Sequence, residues 1–310
     1  MLKICVHQYL TNCKTNIQPP GFADFLRGTQ TLYLLSKRYN YKLLIDFDIH
    51  PIFKFLKYNE NFYIKNLNVD TLEVIPPINY NNIYNILKLN FESNNDIYIL
   101  TNSFHSDHMI TDHYDQNQIN ESNNYLKEIL LPNNLLSILI KKRLLSMNIN
   151  DNYIVIHLRF NDNCFNDNFI LSSNHKNKLY NVINNIQNDN SETKIIVLSN
   201  YYDFIEELKQ KYDNLFFNKN NPIHLGSLDK NINIDDLDEI SDIEDDEKDK
   251  IEFKLLNKLD KKIRDTLIDL FILTKASKIY GISQYMGSGF SYQISEIYNI
   301  PYYNLSNNVF

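Results

Sequence analysis

The chain has 310 residues, of which 43% are hydrophobic and 22% charged, with 6 Gly, 8 Pro and a formal net charge of −7. Such a composition can bury a sizeable core, favours two globular domains over one, and excludes collagen-like, coiled-coil and wholly disordered chains. The charge is local. Residues 229–250 carry a net −8, which leaves the remainder near neutral at about +1, without a basic stripe for a nucleic-acid backbone.

In chain order, the pattern predicts a strand over 2–7, a glycine-bounded loop, and a helix over 22–38. A strand follows at 42–47, then an irregular Asn-rich stretch over 51–95, a strand at 96–101, and one or two helices over 125–147 broken near Pro132. The turn-like NINDN at 148–152 marks the expected domain boundary, giving domains 1–148 and 149–310. The second half reads as strand 153–158, helix 175–187, strand 194–198, helix 202–211 and a short strand at 214–217. After the acidic insertion 229–250 come helix 255–275, strand 277–282, helix 290–298 and strand 301–304. Strands alternating with helices predict two parallel α/β sheets, with ligand loops at the carboxyl ends of the strands.

Three cysteines (Cys5, Cys13, Cys164) without CxxC spacing fit neither a disulfide framework nor a zinc site, which points to a reducing, cytoplasm-like compartment. No apolar run is long enough to span a bilayer, and the opening MLKICVHQYL lacks the charged-then-apolar order of a signal peptide. Asn, Ile, Tyr and Lys are abundant while Arg and Gly are scarce. That bias resembles an AT-rich genome, such as that of a large DNA virus (whose product would work in the host cytoplasm) or a parasitic protist. Retained Arg and Gly then invite a physical question, because Arg supplies a bidentate fork and Gly supplies positive φ or close approach.

Three segments answer it. In Tyr153-Ile-Val-Ile-His157-Leu-Arg159-Phe-Asn-Asp162, an apolar strand ends by presenting His157 and Arg159 on one face, where a guanidinium suits a diphosphate. A surface salt bridge explains Arg159 equally well. In Gly281 to Ser291, small residues including Gly287, Ser288, Gly289 and Ser291 precede a helix whose free N–H groups make an anion site. An ordinary Ser/Gly cap is the plainer reading. The third is Pro19-Pro20-Gly21-Phe22-Ala23-Asp24-Phe25-Leu26-Arg27-Gly28, a loop opening the first helix, with a tight strand–helix turn as its plainer reading. Asp46-Phe47-Asp48 is a DxD tripeptide, and His105, Asp107, His108, Asp112 and His113 cluster in sequence. Neither matches a standard structural-zinc spacing, and no metal is expected.

Taken in order, these segments resemble the GDP-fucose-dependent fucosyltransferases, the group of core, nodulation and protein O-fucosyltransferases. IHLRFND resembles their HxRxxD motif. IIVLSNYYDFIEELKQKY resembles their second motif, a strand ending in a small polar pair, here Ser199 and Asn200. Asp269 followed by GSGFSYQISEI resembles their third, and PGFADFLRG the glycine loop of the acceptor domain. The likeness covers 150–220 and 262–300 well, and 15–50 thinly.

The resemblance implies a GT-B-like fold, two Rossmann-like domains facing across a cleft, and metal-independent, inverting transfer of fucose from GDP-fucose to a hydroxyl of a glycan or glycoprotein. It implies that Arg159 holds the β-phosphate, His157 lies near the nucleoside, Asp269 reads guanine, and Ser288, Gly289, Phe290 and Ser291 hold phosphate, with Asp162 and Ser199 nearby. The base is expected in Asp167, which stands ten residues after His157, or else in Asp24, with Asp162 as a third candidate. Gly21, Phe22, Asp24 and Arg27 would line the acceptor side. The chain departs from the core branch at Asn163, where that branch has Lys. A catalytically degenerate nucleotide-sugar-binding or structural protein, and a transferase using another nucleotide-sugar, are the competing readings.

Overall fold

The computed structural model describes residues 3–9, 21–47, 50–64, 73–75, 89, 91–92, 96–99, 114–149, 152–161, 164, 169–218, 225, 260–285 and 289–310. By contacts the chain forms two units, Met1–Leu136 with Ile223–Arg264, and Ser137–Pro222 with Asp265–Phe310. The expected divide was at 148/149, with all of 149–310 in the second domain. In the structure the first division falls inside a helix, and 223–264 belongs to the first unit.

The first unit is built on β1 (Lys3–Gln8), α1 (Phe22–Arg38), β2 (Tyr41–Asp46), β3 (Glu73–Ile75) and β4 (Ile97–Ile99), followed by α2 (Gln116–Ile129). Its sheet is parallel throughout, in the order β2-β1-β4-β3. Tyr9, Phe22, Phe25 and Phe47 pack at the carboxyl ends of β1 and β2, with ring centroids 4.7–6.3 Å apart for the pairs that touch Tyr9. Buried Gln30 donates from Nε2 to Asn123 Oδ1 at 2.7 Å, bracing α1 against α2. The stretch 51–95, expected to be irregular, contains the 3-10 turn Pro51–Phe55 and strand β3. Helix α2 begins nine residues before the expected 125, because Asp115 and Gln118 form a reciprocal capping box that stabilises a polar first turn, Gln116-Asn117-Gln118.

The second unit follows α3 (Asn134–Ser146) with β5 (Tyr153–Arg159), α4 (Ser173–Asp189), β6 (Lys194–Ser199), α5 (Tyr202–Lys211) and β7 (Leu215–Phe217). Then come α6, helical over 260–273, β8 (Lys278–Ser283), α7 (Gly289–Tyr298) and β9 (Tyr302–Asn304). All pairings are parallel, in the order β7-β6-β5-β8-β9. Ile154, Ile156 and Leu158 of β5 and Ile195 and Val197 of β6 join Leu179, Ile183 and Ile186 of α4 and Phe204 and Leu208 of α5 in one core. Both faces of β5 are covered, which is why it reads as a continuous apolar run.

Scarcity of glycine leaves a mark on this architecture. Asn40, Asn148 and Asn299 hold φ of 60°, 53° and 55° just past the ends of α1, α3 and α7. This is the left-handed position that glycine usually fills, and Asn is the side-chain-bearing residue that tolerates it best.

Candidate functional site

The order β7-β6-β5-β8-β9 reverses direction in sequence between β5 and β8, and parallel α/β sheets take ligands at the carboxyl ends of the strands at such a reversal. His157 and Arg159 end β5 there, in register with Gly281 and Ser283 of β8. Helix α7 starts just beyond β8. The first and second sequence segments, more than a hundred residues apart, therefore meet at one point in the fold.

His157 is 7% exposed, and its Nδ1 shares a hydrogen bond of 2.9 Å with the Ser291 hydroxyl in the first turn of α7. Burial, with the Arg159 charge adding to it, lowers the imidazole from 6.5 to about 3, so the ring is neutral at physiological pH. Phe290 packs at 6.0 Å between ring centroids. His157 thus acts as a brace between β5 and the start of α7, and Ser291 is engaged inside the fold, where the resemblance had given it to phosphate. The backbone N–H groups of that first turn, which have no intrahelical acceptor, are the donors a helix start offers to an anion. Gln293 is buried, and its Nε2 has no hydrogen-bond partner.

Arg159 is half-buried. Its guanidinium donates to the Phe160 carbonyl at 2.8 Å and lies 5.9 Å from the Tyr285 ring centroid. The turn after β5 is held from both sides. Asn200 accepts from the Phe160 N–H at 2.8 Å and donates back to the Phe160 carbonyl at 3.1 Å. The Asn161 N–H donates to Gln284 Oε1 at 2.8 Å, and the Gln284 N–H to the Arg159 carbonyl at 3.1 Å. Of the small polar pair after β6, Asn200 makes this clamp, while Ser199 accepts from the Tyr201 N–H at 3.0 Å and shapes the start of α5.

Asp269 lies on α6 and is 7% exposed, so it is not a solvated surface residue. Three residues on, the Ile272 carbonyl accepts from the Tyr153 hydroxyl at 2.7 Å, at the beginning of β5. That bond packs α6, which carries Asp269, beside β5, which carries His157 and Arg159. Gly281 is kept for packing: a Cβ there would lie 1.9 Å from the Tyr302 hydroxyl oxygen.

In the first unit, the glycine-loop residues make a helix start. Gly21 caps α1 at φ −62°, ψ 163°, a conformation open to any residue. Asp24 accepts from the Gly21 N–H at 3.2 Å through one oxygen and from Arg27 at 2.5 Å through the other. Phe22 is buried in the aromatic core. Nearby, the Ile52 N–H donates to His50 Nδ1 at 3.1 Å, so Nε2 carries the proton and donates to the Leu225 carbonyl at 2.9 Å. Burial lowers His50 from 6.5 to about 4, against the hydrogen bond to Leu225.

Asp162, Asn163, Asp167, Gly287 and Ser288 lie outside the described residues, as do Asp48, the histidine cluster 105–113 and the acidic insertion. Asp46 is buried at the end of β2 and accepts from Gln8 Nε2 at 2.8 Å. Among the described residues no three metal-ligating side chains converge, and no helix is long and apolar enough to cross a membrane. Gln293 and Tyr285 were missed in the sequence. Gln293 had a usable signal, since it follows Phe290-Ser291-Tyr292 within the helix start already singled out.

No family model matches the sequence, and no curated protein sequence matches it. Solved structures do match. The fucosyltransferase NodZ from Bradyrhizobium superposes with a TM-score of 0.57 at 11% identity, covering 99% of this chain and 96% of that one. The NodZ alpha-1,6-fucosyltransferase co-crystallized with GDP gives 0.57 at 11% identity, over 95% and 92%. POFUT1 in its apo form gives 0.50 at 10% identity, over 98% of each chain. At these identities the likeness is one of fold, and the fold of this chain, two parallel-sheet α/β units, is the GT-B-like fold of those fucosyltransferases.

Proposed function

We propose that the protein is an inverting glycosyltransferase that moves fucose from GDP-fucose to a hydroxyl of a glycan or glycoprotein, without a metal. The observation that carries this reading is that the end of β5, which bears Arg159, is tied through His157 and Ser291 to the first turn of α7 at the strand-order reversal of the second sheet. A diphosphate there would take the Arg159 fork and the first-turn N–H groups of α7, donors suited to stabilising a leaving GDP. Asp269 is assigned to the guanine edge, with Asp162, Ser288 and Gly289 at the donor.

Inversion requires one general base on the acceptor hydroxyl. Asp24 is poorly suited to it, since both of its oxygens are committed to Gly21 and Arg27. Asp167 is therefore the proposed base. The commitment of Asp24 equally supports a second reading, a relative that binds nucleotide-sugar without turnover. Incubating the protein with labelled GDP-fucose and a glycan array, with and without a chelator, tests both. Transfer that survives the chelator supports the enzyme. Tight GDP-fucose binding with no transfer on any glycan supports the binding protein, and no binding of either GDP or GDP-fucose removes both.

A further inference from the structure

We propose that the Tyr285 ring is the platform on which the transferred sugar of the donor lies, and so a specificity-determining residue for that sugar. The inference rests on the assignment of Arg159 to the β-phosphate. Tyr285 follows β8 at the strand-order reversal and is 55% exposed, although it is a large aromatic side chain at the edge of a well-packed unit. It is held in place. Its N–H donates to Ser283 Oγ at 3.1 Å, and the preceding Gln284 is bonded through both backbone and side chain to Arg159 and Asn161. The guanidinium of Arg159 lies 5.9 Å from its centroid.

That distance selects the ligand fragment. In a nucleoside diphosphate sugar, the first carbon of the sugar is two bonds from the β-phosphorus, whereas the base lies beyond the α-phosphate and the ribose. A ring within 6 Å of the β-phosphate's fork, as Tyr285 is, therefore neighbours the sugar. A 6-deoxyhexose presents C–H groups and a methyl to such a ring. An aromatic ring takes apolar groups of this kind on the face opposite the Arg159 guanidinium by dispersion and burial, with that cation filling the polar role. Other hexoses with a polar C6 would gain less from the same surface.

Calorimetric titration of the whole protein with GDP and with GDP-fucose, in the absence of acceptor, reads this directly. Tyr285→Ala should weaken GDP-fucose by roughly three- to tenfold relative to GDP, the range of a single aromatic contact. Tyr285→Phe should keep the wild-type ratio, because the ring and not its hydroxyl is used. The melting temperature of the unliganded variants should match wild type, since the side chain is largely exposed. Equal weakening of both ligands, or of neither, overturns the platform while leaving the diphosphate site standing. A change confined to the KM of the acceptor overturns it too, by moving the ring to the acceptor side. Failure of wild type to bind GDP at all removes the underlying assignment and this inference with it.

Discussion

The Nδ1 of His157 and the hydroxyl of Ser291, 134 residues apart in sequence, are joined at 2.9 Å inside the second unit. This bond fixes the carboxyl end of β5 against the first turn of α7, so the strand that carries Arg159 and the helix that offers its N–H groups are set relative to each other before any ligand arrives. A neutral imidazole suits the role, because a charged one would be buried beside the Arg159 guanidinium.

The brace predicts a pH dependence of stability. His157 has a folded pKa of about 3 and His50 one of about 4, both below the ordinary 6.5. As pH falls below 6.5 the unfolded chain takes up these protons first. The stabilisation is therefore complete above about 6.5 and is lost progressively toward the folded values, at up to about 1.4 kcal/mol per pH unit for each histidine. Urea unfolding followed by circular dichroism between pH 7 and 5 should show the midpoint falling. His157→Gln, which removes one titrating group, should fall less steeply. Parallel slopes for the two proteins would mean that His157 is already exposed to solvent.

Arg159→Lys is expected to weaken GDP binding by tenfold or more, although it conserves charge. Lys is a point charge, whereas the guanidinium presents a planar fork whose orientation is set by the Phe160 carbonyl. A hydrogen bond to a charged group is typically worth about 1.5–3 kcal/mol. Titration with GDP measures the change, and the melting temperature of the empty protein should scarcely move. An unchanged dissociation constant would take Arg159 out of the site.

Much of this arrangement was readable in the chain. The helix 202–211 and the strands around 153 and 194 follow from apolar runs bounded by Asn and Ser, and Tyr202–Lys211 is found as expected. His157 and Arg159 stood out because a compositionally biased chain had kept them at a strand end. What the sequence did not carry was mutual occupancy. Nothing local announces that Ser291 spends its hydroxyl on His157, that Asp24 is committed to Gly21 and Arg27, or that Gly281 is needed by Tyr302. Each of these depends on a partner set by strand order. Likewise 51–95 looked irregular because β3 is only three residues long, below the length at which alternation becomes visible.

The Gly281 contact gives a stability prediction. Gly281→Ala would place a Cβ at 1.9 Å from the Tyr302 hydroxyl oxygen and 2.5 Å from Cζ, so the ring must swing away from β8. Overpacking of this kind costs about 1–3 kcal/mol, and the lower end applies because the obstacle is the far end of a side chain on the edge strand β9. Tyr302→Ala in the same protein should recover most of the loss arising from the clash. A double-mutant cycle on chemical denaturation gives the coupling, and purely additive effects would show that the two residues do not meet.

Nucleotide choice tests the deepest part of the proposed donor site. A carboxylate accepts two hydrogen bonds side by side, and guanine offers N1–H and an exocyclic amine in that geometry, while uracil offers one donor and adenine a different pattern. Asp269 is buried on α6, a place where a carboxylate must have partners in the fold or in a ligand. Because Ile272 is tied to Tyr153, α6 packs beside β5, the strand that ends in Arg159, and the base of a nucleotide held there is proposed to reach Asp269. If it does, wild type should prefer GDP to UDP and ADP. Asp269→Asn, which sets a donor against a donor, should reduce that preference more than it reduces diphosphate affinity, since Arg159 and α7 are untouched. Asp269→Ala should act in the same direction wherever water cannot replace the carboxylate. Calorimetry with the three diphosphates on wild type and both variants decides it. Equal affinities in wild type would remove the guanine reading and with it the main ground for choosing a GDP-sugar. A GDP preference that survives both substitutions would keep the sugar donor but move base recognition to another group.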